Sequence, residues 1–228
     1  KFNSSTAILC GDAMMVFAYR YLVKTDTNLL PSLLEIFNNC AVMVCEGQQM
    51  DMNYEKMDGL NVEDYLKMIE LKTATLLATS MKIGAITGGA SEEDANHLYN
   101  FGKFLGISFQ LKDDWLDSFG DAEKVGKLHG GDIIQNKKTF LLLEAFHIAD
   151  EQSRHELNAC FSDSAIDANV KVKKVLEIFS RLRIDQITLT EIEKYFNTAL
   201  NYLDAVSLPP ERKEILRQLA NELLHRQV

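Results

Sequence analysis

Residues 109–117, FQLKDDWLD, crowd three carboxylates into an apolar and aromatic run: Asp113, Asp114 and Asp117. On an α-helix each residue advances about 100°, so Asp113 and Asp117 lie about 40° apart and Asp114 falls within the same ~100° arc. Gln110, three residues before Asp113, joins that stripe. The cluster occupies the last turns of a helical segment, where the macrodipole already disfavours anions. Burying such charges without partners is costly, so a cation must offset them. Mg2+ is the best fit. It is a hard ion that takes one or two carboxylates and completes its shell with water and substrate phosphate. A calcium-binding helix–loop–helix fits badly, because the acidic positions it requires are not met. The competing reading of the same spacing is a solvated acidic helix end with surface lysine partners. The apolar neighbours Phe109, Leu111, Trp115 and Leu116 weigh against it.

Lysines supply a second half. Lys72 lies in IELKTATLL, inside an apolar helical pattern where a lone ammonium is costly unless paired, and Thr73 beside it offers a hydroxyl. Lys124, Lys127, Lys137 and Lys138 follow the acidic cluster. Metal-bound carboxylates facing lysines outline a diphosphate site. Surface solvation explains any one of these lysines more simply; the set is more specific.

These groups need a scaffold, and the chain can build one. Its 228 residues, 46% hydrophobic, can bury one substantial core, so 1–228 reads as a single domain. No run of about 18 uncharged apolar residues appears, and the first residues carry no signal-peptide pattern. Cys10, Cys40, Cys45 and Cys160 lack zinc-site spacing and read as reduced thiols in a cytoplasmic protein. A net charge of −9 argues against a nucleic-acid partner. It does not exclude a phosphorylated substrate, provided metal ions bridge the like charges.

The periodicity is helical throughout, and prolines occur only at 31, 209 and 210. Helices are expected over 4–24, 32–50, 61–89 with Asn61 as cap, 91–119 from Ser91, 137–159, 167–182, 188–206 and 210–226. Two of them approach thirty residues and are too apolar to stand alone, so the fold class is all-α, a large antiparallel helical bundle. Gly102 and Gly106 inside the fourth helix mark either close helix packing or a kink that opens a cavity. The segment 119–138 holds Gly120, Gly126, Gly130 and Gly131 and reads as a lid or binding loop.

At this point the residues resemble a known family. FQLKDDWLD resembles the second aspartate-rich motif of the trans-isoprenyl diphosphate synthases, the polyprenyl synthetase family. GQQMD at 47–51 resembles its Gly-Gln-x-x-Asp element, and LKTATLL its Lys-Thr helix. GKLHGGDI and NKKTF resemble the loop and lysine segment that follow, and TAILCGDAM the helix just after the first aspartate-rich region. The resemblance implies an all-α bundle around a deep central cavity, the isoprenoid synthase type, usually a homodimer. It implies a prenyltransferase: an allylic diphosphate ionises, isopentenyl diphosphate attacks the cation, and a proton is lost. By the same resemblance Asp113, Asp114 and Asp117 bind Mg2+, and Lys72, Lys127 and Lys137 hold the allylic diphosphate. Thr73 and Gln110 turn oxygen dipoles to the cationic carbon. Phe109 packs on isopentenyl diphosphate, and Gln48 and Asp51 line the cavity.

One departure stands out. The family's first aspartate-rich motif precedes the segment that matches residue 1, and the chain begins without Met. The expectation is therefore a domain lacking its N-terminal helices and half its metal site. Met14, Met15 and Phe17 then face either the cavity floor or the core. A non-catalytic partner subunit and a terpene cyclase are the alternative functions. The Lys-Thr helix and the Gly-Gln-x-x-Asp element favour chain elongation.

Overall fold

The computed structural model describes residues 3–120, 130–163 and 165–225, and every regular element among them is helical. In chain order these are α1 (Ser4–Leu22), α2 (Leu30–Tyr54), α3 (Val62–Ile69), a wide π-type turn (Glu70–Ala74), α4 (Thr75–Thr87) and α5 (Glu92–Phe119). Beyond them come α6 (Gly131–Ile134), α7 (Phe140–Ile148), α8 (Glu151–Ser162), α9 (Ala168–Arg181), α10 (Ile184–Ala205) and α11 (Pro210–His225). The expected all-α bundle is what the chain builds.

Helix starts follow local chemistry. Asn61 and Asp64 form a reciprocal capping box, each side chain accepting from the other's backbone N–H at 2.8 and 3.0 Å. Ser91 caps α5 by accepting from the Asp94 N–H at 3.1 Å, and Glu92, Glu93 and Asp94 place negative charge against the positive end of the dipole. The α4–α5 reversal passes through Gly89 at φ +80, a conformation in which glycine carries no steric penalty.

Two expected helices are not continuous. The span 61–89 is interrupted at Glu70–Ala74, where the Thr75 N–H reaches back to the Glu70 carbonyl in an i→i−5 bond and the Thr75 hydroxyl donates to the same oxygen at 2.9 Å. One extra residue per turn leaves the apolar pattern readable as a single helix, which is why the interruption was invisible in the periodicity. The span 137–159 breaks at Ala149, which is extended, and Asp150, whose carboxylate accepts the Ser153 N–H at 2.7 Å and starts α8 afresh. The next-to-last helix begins at Ile184 rather than 188, launched by Arg183 in the left-handed region.

Helix α5 is the axis of the molecule, packed along its length against α4 and α10. At its C-terminal half Ile107 and Leu111 join Tyr65, Ile69, Leu141, Leu157, Phe179 and Ile192 in one core. At its N-terminal half Phe101 and Leu105 join Phe196, Ala199, Leu203 and Ala220 in another. Each fully buried Leu or Phe is worth about 1.5–3 kcal/mol of transfer free energy. Helix α1 buries only Leu22 and leaves Met14, Met15 and Phe17 exposed by 70%, 43% and 51%. Neither the cavity floor nor the core receives those three side chains.

Gly102 and Gly106 serve packing, and α5 runs unbroken through both. A Cβ at Gly102 would stand 2.8 Å from the Ala78 Cα, and one at Gly106 2.6 Å from the Ala74 Cα. The obstacle at Gly106 is backbone and cannot rotate away. Alanine there gains up to about 1 kcal/mol of helix propensity. It forces α5 away from the wide turn, at about 1–3 kcal/mol. Gly106→Ala is therefore expected to lower the urea midpoint with an unchanged slope; a raised midpoint would mean the helices separate freely.

Candidate active site

The wide turn builds the site. It is pressed between Gly106 of α5 and Gly47 of α2, where an added Cβ would lie 2.4 Å from the Lys72 backbone nitrogen. The glycine of GQQMD is thus a point of close backbone approach. Pressed there, the turn presents Lys72 and Thr73 to a cleft with about 610 Å³ of atom-free space, its open mouth included. Asp51, Tyr65, Met68, Ile69, Gln110, Asp114, Asp132, Lys137 and Lys138 complete the working part of the wall.

The polar side chains are tied in pairs and chains. Lys72 Nζ meets Asp51 Oδ2 at 2.6 Å, both side chains about one-third exposed. Lys137 Nζ meets Asp132 Oδ1 at 2.6 Å. The Thr73 hydroxyl donates to Gln110 Oε1 at 3.1 Å, and Gln110 Nε2 donates to Asp114 Oδ1 at 3.1 Å. The Tyr65 hydroxyl donates to the other oxygen of Asp114 in a short hydrogen bond.

Asp114 is 5% exposed. Burial lifts its carboxyl to about 7, the Tyr65 and Gln110 hydrogen bonds oppose the lift, and the charges of Asp132 and Asp113 add to it. Burial also raises Asp117, against the pull of the Asp132 N–H. Burial works against the Lys137 charge, yet Asp132, Asp114 and Asp117 outweigh it and leave that lysine above its ordinary value. Tyr65 is pushed well above the usual phenol range by burial, with the Asp114 charge adding to it.

The structure thus brings Asp51, Lys72, Thr73, Gln110, Asp114 and Lys137 into one cleft. Asp113, beside Asp114, and Phe109, one residue before Gln110, are half-buried and are not part of the cleft wall. Asp117 holds the chain's return: Oδ2 accepts the Asp132 N–H at 2.9 Å and its carbonyl accepts the Gly130 N–H at 2.8 Å, tying α6 to the end of α5. Gln48 is exposed and lies outside the cleft wall. Lys124 and Lys127, with the rest of 121–129 in the glycine-rich loop, fall outside the described residues.

Sequence reasoning missed Tyr65 and Asp132. Tyr65 stands seven residues before Lys72, and its aromatic ring in an apolar helical pattern carries no sign of a polar partner. Asp132 directly follows Gly130-Gly131, and nothing in its spacing marks it as the partner of Lys137.

The donor set suits magnesium. Carboxylates outnumber lysines around the cleft, and Asp114 sits in the low-dielectric wall with a proton affinity that a nearby cation would lower. Among the described residues no group of three His, Cys, Asp or Glu side chains is arranged to hold a metal ion by itself. Magnesium does not need one, since it keeps waters and shares substrate phosphate.

Known proteins share the sequence pattern and the fold of this chain. The sequence pattern of the polyprenyl synthetase family matches residues 1–179. The chain is 32% identical over 213 residues to the short chain isoprenyl diphosphate synthase of Methanothermobacter thermautotrophicus, covering 93% of this chain and 62% of that protein. It superposes on a crystal structure of a geranylgeranyl pyrophosphate synthase with a TM-score of 0.91 and 36% identity, covering 100% of this chain and 70% of that one. It also superposes on the geranylgeranyl pyrophosphate synthase of Corynebacterium glutamicum, solved with isoprenyl diphosphate and magnesium. That match has a TM-score of 0.86 and 28% identity over 97% of this chain and 63% of that one. The chain belongs to the polyprenyl synthetase family and has the all-α isoprenoid synthase fold. It spans under two thirds of the length of the Methanothermobacter relative.

The Asp114 carboxyl makes stability depend on pH with a defined sign. It binds its proton up to about 7 when folded and only to 3.8 in the unfolded chain. Between those values the unfolded state binds fewer protons, so this group destabilises the metal-free protein increasingly as pH rises. Metal-free Asp114→Asn is expected to match the wild type near pH 4 and to exceed it at pH 8 by on the order of 2 kcal/mol. Urea unfolding at both pH values checks this; equal stability at pH 8 would show Asp114 ionising without cost.

Proposed function

We propose that this protein is a magnesium-dependent trans-prenyltransferase that joins an allylic diphosphate to isopentenyl diphosphate. The observation that carries the reading is the convergence of Lys72, Thr73, Gln110, Asp114 and Lys137, from the wide turn, α5 and the segment after α6, on one cleft. The structural relatives, geranylgeranyl pyrophosphate synthases, one of them solved with isoprenyl diphosphate and magnesium, support the same substrate class.

Lys72, preheld by Asp51, and Lys137, preheld by Asp132, receive the diphosphate as compact cations whose positions are fixed beforehand. Lys127 is assigned to the same group. Asp113, Asp114 and Asp117 are the residues that would hold magnesium. When bound, the metal neutralises charge on the leaving diphosphate. Thr73 and Gln110 sit on the cleft wall, where their oxygens lower the energy of a developing carbocation. Met68 and Ile69 give the wall an apolar stretch that discourages water. No side chain is assigned as general base; the departing diphosphate takes the proton. Phe109, Gln48 and Asp51 remain assigned to substrate binding, Gln48 with the least support from its position.

The same reading takes residues 1–228 as one domain of a cytoplasmic homodimer. No described helix is long and apolar enough to cross a membrane. The four cysteines are free thiols, and α1 exposes Ile8, Leu9, Met14, Val16 and Phe17, which a second copy would cover. The relatives' names give no support to a cyclase.

The test is turnover of labelled isopentenyl diphosphate with an allylic primer by the intact protein. A prenyl diphosphate longer by five carbons is expected, with kcat falling about 10²–10³-fold in Asp113→Ala and Lys72→Ala. Wild-type turnover in Asp113→Ala would refute the assignment.

A further inference from the structure

Behind the cleft wall lies a polar chain that runs from a buried tyrosine to the site. Tyr65 is 3% exposed and Asp114 5%. The order is Tyr65 hydroxyl to Asp114, Asp114 to the Gln110 amide, and Gln110 to the Thr73 hydroxyl. Its members come from α3, α5 and the wide turn, so it also spans the junction that shapes the cleft.

The directions of these hydrogen bonds are constrained. Once ionised, Asp114 only accepts, so it obliges Gln110 to present its NH2 group as its Nε2–Asp114 Oδ1 contact shows, and Gln110 Oε1 is then left facing Thr73. Thr73 must donate to that oxygen, which turns its hydroxyl proton away from the cleft and leaves its lone pairs available there. Reversing the Gln110 amide would place N–H against Thr73, drive the hydroxyl proton toward the cleft, and set two acceptors against each other at Asp114. Tyr65 occupies the second oxygen of Asp114 as a donor, so the carboxylate cannot swing away from Gln110 without leaving a buried hydroxyl unsatisfied.

We propose that Tyr65 is a positioning residue: through Asp114 it fixes the Gln110 amide so that Thr73 offers oxygen lone pairs, not a proton, to the developing carbocation. The Tyr65 hydroxyl is engaged by Asp114, so its effect runs through the polarity of Gln110 and Thr73. The proposal rests on the transferase reading of the cleft, but the arrangement it describes exists without ligand or metal.

Tyr65→Phe removes only the hydroxyl and keeps the ring in the core. Two measurements on the intact protein test the idea. The first is the side-chain amide signal of Gln110 in nitrogen-15 NMR spectra, assigned by its loss in Gln110→Glu. In the metal-free wild type above about pH 7, where Asp114 is ionised, the NH2 pair is expected to be resolved and protected from solvent exchange, and in Tyr65→Phe to exchange about tenfold faster. The second is kinetics. Tyr65→Phe is expected to lower kcat about tenfold with KM for the allylic diphosphate within about twofold, since the lost effect acts in the transition state. Combined with Thr73→Ala its loss should largely vanish, because both changes remove the same oriented oxygen. Unchanged amide exchange, or losses in the double variant that simply multiply, would overturn the proposal. Should the amide respond while the wild type elongates no allylic diphosphate, the transferase reading falls and with it the role assigned to Thr73.

Discussion

Negative charge gathered at one end of α5 is the constraint that organises this protein. Asp113, Asp114 and Asp117 stand on a helix terminus that disfavours them, and Asp51 and Asp132 face the same region from other elements. Lys72 and Lys137 each pair with one carboxylate, Asp51 and Asp132, rather than with the three on α5. Burial lifts Asp114 to about 7 and raises Asp117, a sign that the wall resists the charges it contains. A folded chain keeps such an arrangement when a mobile cation and its ligand complete it. The stability lost to these carboxylates in the free protein is the counterpart of the binding free energy they contribute once occupied.

Positioning depends on one local irregularity. A regular helix over 61–87 would carry Lys72 and Thr73 with a different phase relative to α5. The π-type turn shifts that phase, and it fits only because Gly47 and Gly106 let two helices approach its backbone to less than van der Waals distance from any added Cβ. The glycines, the turn and the site residues are therefore one unit. Motifs that look separate along the chain, GQQMD, LKTATLL and FQLKDDWLD, are the three sides of a single contact.

Much of this was legible beforehand. Helical period, caps at Asn61 and Ser91 and the Gly88-Gly89 stop placed α3 to α5 closely, because side-chain chemistry there acts on adjacent backbone. The packing role of Gly102 and Gly106 was readable as one of two options, and the backbone distances decide between them. The π-type turn was not legible, since it changes phase without changing composition. Nor was the break at Ala149-Asp150, where an Asp side chain outcompeted a helical pattern that was weak in any case. For the site, Asp114 reads in the sequence as one of a cluster with Asp113 and Asp117, yet the sequence could not tell that it points into a polar chain with Tyr65 and Gln110. Asp117 carried a motif role and also a local one, holding α6, which only the fold reveals.

The most direct test of the account is a crystallographic map of the intact protein grown with manganese in place of magnesium and with a non-hydrolysable diphosphate. Anomalous peaks bridging the diphosphate oxygens and the carboxylates at the end of α5, with Lys72 and Lys137 turned onto the same phosphate groups, are the expected result. Ordered diphosphate elsewhere, with those carboxylates facing water and no anomalous density beside them, would contradict it.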